Sequence, residues 1–454
     1  MEDTQFNHIG WIALDGNNVT NVVSSLRKDN GRFTCVVPLQ SLEEFPAEWF
    51  IDSPLIGARR TELADIPSPL WLADSESNKT FCLVGCSRSG YKAFNYSYGY
   101  GRMTPEYVIE GALGYDYSSV NAIRVLSPLF LHWTEMTSLF SNYELSEKDS
   151  TLESYTAGFN QMDSVTLGTI GGIDVEIHPS ASASPKNHGE EILLSSAVFF
   201  ATRSGKKAPL STHLDALDEL RGLVCVALFD NITYVSASVL CDDDRPRYID
   251  GGSGSARWRE MHLAYCNQDT SNSTKTAFLF RYNDLNEGFF ERWHLLVAQY
   301  QKGMRELVFM CKHHKNMPVE VALVNYGIAI EGIGHKLRVE IDASLSRSSF
   351  HKALQALVND FKARTDGWFP LEEIERWQQD VTDTYNCIKH LDYNPRTQTR
   401  EHHLKPQNIY EVATSCEMVL RCWIAARLGC GANTLKNNLS DNRYRFVLER
   451  WKKR

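Results

Sequence analysis

Leu371 to His390 reads LEEIERWQQDVTDTYNCIKH. Leu371, Ile374, Trp377, Val381 and Ile388 recur at three- and four-residue steps, so the spacing predicts a helix over 371 to about 390 with one apolar stripe turned toward a partner. Downstream, Ile409, Val412, Cys416, Val419-Leu420 and Trp423-Ile424 keep the same rhythm and predict a long amphipathic helix that stops near Leu428-Gly429. Upstream, Phe289-Phe290, Trp293, Leu295-Leu296 and Tyr300, then Val319, Leu323, Tyr326, Ile330 and Ile333, repeat at helical spacing.

Before about residue 280 the rhythm changes. GWIALDG, FTCVVPL, KTFCLVGCS, GTIGGIDVEIH, ILLSSAVFFAT, GLVCVALFD and ITYVSASVL have strand length and are punctuated by Gly, Asn, Asp and Pro. Val125 to Met136 reads as a helix or a strand-to-helix passage, with Trp133 as an apolar anchor. The stretch from His178 to Gly189 has little to bury and reads as an exposed loop joining two halves of the β region. The fold class is therefore α+β: a β-rich, mostly antiparallel region over 1–280, with a division near 179–190 left open, followed by an α-helical region over 281–454.

With 454 residues, 43% of them hydrophobic, the chain can bury a substantial core. No run approaches the length needed to span a bilayer, and MEDTQFNHIG carries acids before any apolar stretch, so the expectation is a cytoplasmic protein with no membrane partner. Eleven cysteines without CxxC pairs fit buried thiols in a reducing compartment better than zinc or disulfides. The net charge of −9 divides into −13 before residue 361 and +4 from there to the end. Only the tail would attract a polyanion.

Within the 371–390 helix, Asn386 and His390 lie one turn apart on the same side, and Lys389 lies about 100° round. Cleaving RNA without a metal needs a base for the 2′-hydroxyl proton, a cation for the charge on phosphorus, and an acid for the leaving oxygen. A histidine is the residue type suited to base or acid here, which makes His390 the candidate, while Lys389 or an arginine can stabilise charge and Asn386 can fix the histidine or the phosphate. From spacing alone an ordinary helix end accounts better for Lys389 and His390, because the helix dipole favours cations there. Asn394-Pro395 predicts a turn, and the following Arg396-Thr397-Gln398-Thr399-Arg400-Glu401-His402-His403 supplies guanidinium groups that can clamp phosphate. Arg396 joins His390, Asn386 and Lys389 as a catalytic candidate. Arg400, His402, His403 and Tyr385 are candidates for holding substrate. Adjacent His402 and His403 make a poor metal pair, and no cofactor or metal is expected.

The arrangement resembles the ApeA-type bacterial antiphage proteins, which join an ApeA N-terminal domain to a helical domain of the HEPN class (higher eukaryote and prokaryote nucleotide-binding). His8 to Gly16, Tyr107 to Gly111 through Arg124-Val125, and His132-Trp133-Thr134 resemble the N-terminal domain. Phe290-Glu291-Arg292-Trp293 and Ala329-Ile330-Glu331-Gly332 resemble the helical linker and first HEPN helix, and Asn386 to His390 with the 409–428 helix resembles the nuclease motif and the helix after it.

The resemblance implies a metal-independent endoribonuclease of abortive infection. It implies a HEPN-like fold for 281–454, RNA such as tRNA as substrate, pairing into a homodimer or higher oligomer, and a sensing or restraining role for the β-rich part toward a phage-derived trigger. The family motif is an arginine, usually followed by asparagine, with a histidine four to six residues beyond the arginine. Asn386 and His390 match it, whereas Tyr385 stands in the arginine's place. Either Arg396, Arg400 or Lys389 supplies the charge, or the protein has lost cleavage and keeps a role as an RNA- or protein-binding regulator. A purely structural assembly protein is the third class of reading.

Overall fold

The computed structural model describes residues 6–41, 44–52, 62–94, 98–145, 151–246, 252–263, 277–342, 349–440 and 444–452. Fourteen strands form one sheet, and every strand pair in it is antiparallel. Strands from the first 110 residues form one wing and those of 119–126, 165–209 and 236–240 the other, while Leu139–Leu145 and Leu152–Phe159 pair in a separate two-stranded sheet. The strand Trp258–His262 joins the two wings, pairing with Ser236–Leu240 on one side and Tyr107–Glu110 on the other.

The first wing closes on its own apolar cluster, in which Leu26, Phe33, Val37, Leu72 and Phe81 are buried against Trp49 and Phe50. Alternation explains this wing: in Arg32–Leu39 the side chains of Phe33, Cys35, Val37 and Leu39 all point inward. The second wing is covered by helices.

Eleven helices occur among the described residues: α1 Pro128–Thr134, α2 Leu210–Leu228, α3 Phe289–Gln299, α4 Gln301–His313, α5 Val319–Ile341, α6 Phe350–Arg364, α7 Ile374–Lys389, α8 Arg400–His403, α9 Pro406–Arg427, α10 Ala432–Ser440 and α11 Arg445–Arg450. Of the two readings of Val125 to Met136, the structure shows the strand-to-helix passage, the strand Ser119–Leu126 running into α1. The predicted helices at 289–300, 319–333, 371–390 and 409–428 are α3, α5, α7 and α9. α9 stops where Gly429 turns left-handed at φ 97°, as a glycine after a helix does.

Two readings are corrected. GLVCVALFD is not a strand but the end of α2: Leu214, Leu217, Leu220 and Leu223 extend the apolar spacing backward at helical period, and the β-branched run is buried because α2 lies between sheet and helices. His178 to Gly189 is not a loop either. The strand Ile173–Lys186 continues through it, and Pro179 to Lys186 pair one for one with Val198 back to Glu191 in a long hairpin. Backbone pairing holds these small polar residues in a ladder that needs no core beneath it.

The four-helix arrangement around the motif depends on glycines. α5 crosses α4, α6 and α7 closely: a Cβ on Gly303 would stand 2.7 Å from the Ala329 carbonyl oxygen, and one on Gly334 would stand 2.1 Å from that of Ala353. The Tyr385 ring lies over Gly327, 2.2 Å from where a Cβ would be. α7 is thereby pressed against α5 through Tyr385, while Trp377 ties it to α9 with a 2.8 Å hydrogen bond to the Ser415 hydroxyl.

Candidate functional site

The site forms where α7 ends. Its backbone leaves the helix at His390, whose amide still donates to the Asn386 carbonyl at 2.8 Å while its own φ of −129° is extended. A helix end leaves carbonyls without partners, and Arg400 meets them. Its guanidinium donates to the carbonyls of Cys387 at 2.5 Å, His390 at 3.0 Å and Tyr393 at 3.1 Å. Three of the five guanidinium N–H groups are engaged this way, which leaves the charge beside His390 and two donors uncommitted to these carbonyls. Arg400 is thus first a cap of α7 rather than the free phosphate clamp expected from sequence.

Beneath the loop that follows lies Asp383, fully buried. Its carboxylate accepts from the Tyr393 hydroxyl at 2.7 Å, Gln379 Nε2 at 2.9 Å, the Arg396 amide at 2.9 Å, and the Thr397 amide and hydroxyl at 3.1 and 3.0 Å. Burial, then the bond to Asp383, pushes the Tyr393 phenol up to about 12. Asp383 therefore fixes the backbone from which Arg396 projects, exposed, toward solvent. Nothing in the sequence spacing marks this residue, because its loop partners come from ten to fourteen positions later across a turn.

His403 is also buried, and its ring bonds the hydroxyls of Thr384 at 2.9 Å and Thr397 at 3.3 Å. Burial holds its imidazole below the usual histidine range, against the opposing pull of Asp383. The expectation that His403 touches substrate is corrected: it closes the layer under the loop. His402, its neighbour, is half-buried and lines the open groove beside that loop.

Tyr385 turns inward as well. It is 1% exposed, its ring stacks on Phe350 at 4.3 Å, and its hydroxyl accepts from Lys389 Nζ at 3.0 Å. Lys389 lies 3.8 Å from Glu331 of α5, and its ammonium is held above its usual range chiefly by the Tyr385 bond. The expectation of Tyr385 as a substrate contact is corrected for the same reason: α5 needs its ring. Lys389 thus faces α5, a separate side from Asn386 and the Asp383-anchored loop.

The structure brings His390 and Arg400 together, with Asn386 one turn before. It places Arg396 on the same anchored loop, sets Lys389 aside, and buries Tyr385 and His403. An exposed imidazole, an amide and a guanidinium charge at one helix end can bind and act on a phosphodiester.

A large antiparallel sheet domain joined to a helical domain with a polar helix end defines the class. Residues 28–293 match the family model of ApeA N-terminal domain 1, and residues 319–433 match that of the Apea-like HEPN domain. The chain belongs to the ApeA N-terminal domain family and carries an Apea-like HEPN domain. No curated protein and no solved structure matches it. Among the described residues no helix is long and apolar enough to cross a membrane.

Proposed function

We propose that this protein is an effector of bacterial antiphage defence that cleaves RNA at the end of α7. The observation that carries this reading is the exposed His390, with the Arg400 guanidinium on its own carbonyl at 3.0 Å. In this scheme His390 takes the 2′-hydroxyl proton, the 2′-oxygen attacks phosphorus, and the bond to the 5′-oxygen breaks. Arg400 and Arg396 offset the charge that builds on the phosphate oxygens, and a second histidine, His402 or His390 of a paired subunit, protonates the leaving oxygen. Asn386 orients the imidazole. The products are a 2′,3′-cyclic phosphate and a 5′-hydroxyl, formed without a divalent metal.

HEPN domains commonly act in pairs, so a homodimer supplies the second half of the cleft. The region over 1–280 then senses the phage-derived trigger or restrains the helical region over 281–454 in uninfected cells. The cytoplasm is the setting in which such an activity meets tRNA and other structured RNA.

One observation favours a second reading. The motif position of the arginine holds Tyr385, which is sealed under Phe350, so α7 brings no guanidinium at that position. A catalytically silent RNA-binding regulator fits that substitution. Incubating the full-length protein with a mixed RNA pool in EDTA and mapping the new ends separates the two. We expect cyclic-phosphate ends whose yield falls by at least about 100-fold in His390→Ala, the scale of a lost general base. RNA retention without new ends would establish the silent form.

A further inference from the structure

Behind the anchored loop, on the side away from Lys389, an open groove of about 500 Å³ runs between α7, α8 and the start of α9. Every residue lining it is polar or charged. A pocket for an apolar ligand has hydrophobic walls, and a protein docking site normally has a buried aromatic or aliphatic anchor. Neither description fits this groove.

Three cations, Arg376, Lys405 and Arg450, stand against two acids, Asp380 and Glu411. Arg450 donates to Glu411, and it also reaches Asp380 at 3.4 Å and the Asn408 carbonyl oxygen at 2.6 Å. The cations Arg376 and Lys405 remain turned to the opening; the Arg376 guanidinium stands 3.9 Å from Glu373, and Lys405 is exposed. Gln398, Gln407 and His402 add hydrogen-bonding groups along the walls.

A second feature adjoins it. Tyr410 and Phe446 stack with their rings 5.7 Å apart and only 8° from parallel, yet they are 50% and 36% exposed. Tyr410 lies three residues after the groove residue Gln407 on α9, and Phe446 lies one turn before Arg450 on α11, so helix geometry puts the pair at the groove's edge. A flat exposed aromatic surface beside exposed cations is the combination that holds single-stranded nucleic acid: bases stack on the rings and phosphates follow the charges.

We propose that this groove and the Tyr410–Phe446 platform bind a single-stranded RNA segment flanking the phosphate presented to His390. The inference rests on the ribonuclease reading for the direction of the strand. Residues 396–403 form both the wall of the groove and the loop beside His390, so one strand passes from platform to cleavage point without leaving the surface.

The test uses the full-length protein and a fluorescein-labelled ten-nucleotide RNA without secondary structure, with binding read by anisotropy across a salt series. Tyr410→Leu keeps an apolar side chain but removes the ring; we expect Kd to rise about tenfold, within the range for a lost base stack. Arg376→Gln with Lys405→Gln lowers the log–log salt slope by about 0.7 for each phosphate contact removed. Lys92→Gln, on the distant strand Ser87–Phe94, leaves both quantities unchanged. Circular dichroism melts verify that the variants fold.

Wild-type Kd in Tyr410→Leu together with an unchanged salt slope in the double variant overturns the proposal, whether or not the protein cuts RNA. Weakened binding in these variants from a protein that yields no new ends upholds the groove while removing the nuclease reading. Failure of the wild-type protein to bind the RNA at low salt overturns the groove as an RNA site.

Discussion

Asp383 shows how one buried charge can set the shape of a site. Five hydrogen bonds converge on its carboxylate, four of them from Tyr393, Arg396 and Thr397, so the segment bearing Arg396 has its place only while that charge is present. Removing it leaves buried donors without an acceptor, the costly side of a hydrogen bond. Asp383→Ala is expected to lose roughly 2–4 kcal/mol in chemical denaturation of the helical region. Hydrogen exchange at the Arg396 and Thr397 amides should accelerate, and unchanged protection there would show that the loop is held by something else. From the sequence, His390, Asn386 and the cationic loop were legible as polar groups at and after a helix end. Asp383 was not, since a carboxylate on a helix reads as a solvated surface until the loop that covers it is in place. The same limit applies to Tyr385 and His403, whose burial depends on Phe350 and Thr384, neither of which their own neighbours in sequence announce.

At the scale of elements, hydrophobic spacing identified α3, α5, α7 and α9 because apolar residues recur in each at helical period, although α9 is buried all round from Val412 to Ala426 rather than along one stripe. It failed for GLVCVALFD. An apolar run such as Gly222 to Phe229, buried along nearly its whole length, carries no period of its own, and only the longer pattern beginning at Leu210 reveals α2. It failed also for His178 to Gly189, where ladder pairing outside any core gives no apolar alternation to read. The crossing of α5 with α6 turns on Gly334, where a side chain meets the Ala353 backbone rather than a movable group. Gly334→Val is therefore expected to destabilise the helical region by roughly 1–3 kcal/mol, seen as an earlier denaturation midpoint. Gly367, at φ 81°, has open space where a Cβ would stand. Gly367→Ala incurs only the backbone cost of the left-handed conformation, so it should shift the midpoint less.

For the whole molecule, Arg421 is the bridge. This residue of α9 is 1% exposed, and its guanidinium donates to the carbonyls of Val226 and Ala227 at the end of α2, both at 2.7 Å, and to Glu417 at 2.9 Å. The motif helices are thereby joined to the helix that covers the sheet. Breaking a buried pair by removing one partner costs about 3–5 kcal/mol, whereas replacing both partners costs less. Arg421→Met should therefore destabilise the chain more than the double variant Glu417→Gln with Arg421→Met, and limited proteolysis should find new cuts where α2 meets α9. Equal stability of the two variants would show that Glu417 is not left exposed to that cost. Taken alone, the sequence determined the α+β division, four of the main helices and the polar character of the α7 end, because periodic burial and turn chemistry are local properties of the chain. Tertiary structure alone decided which of those polar groups face solvent, since burial of Tyr385, His403 and Asp383, and the capping of α7 by Arg400, arise from contacts between segments that the chain brings together only on folding.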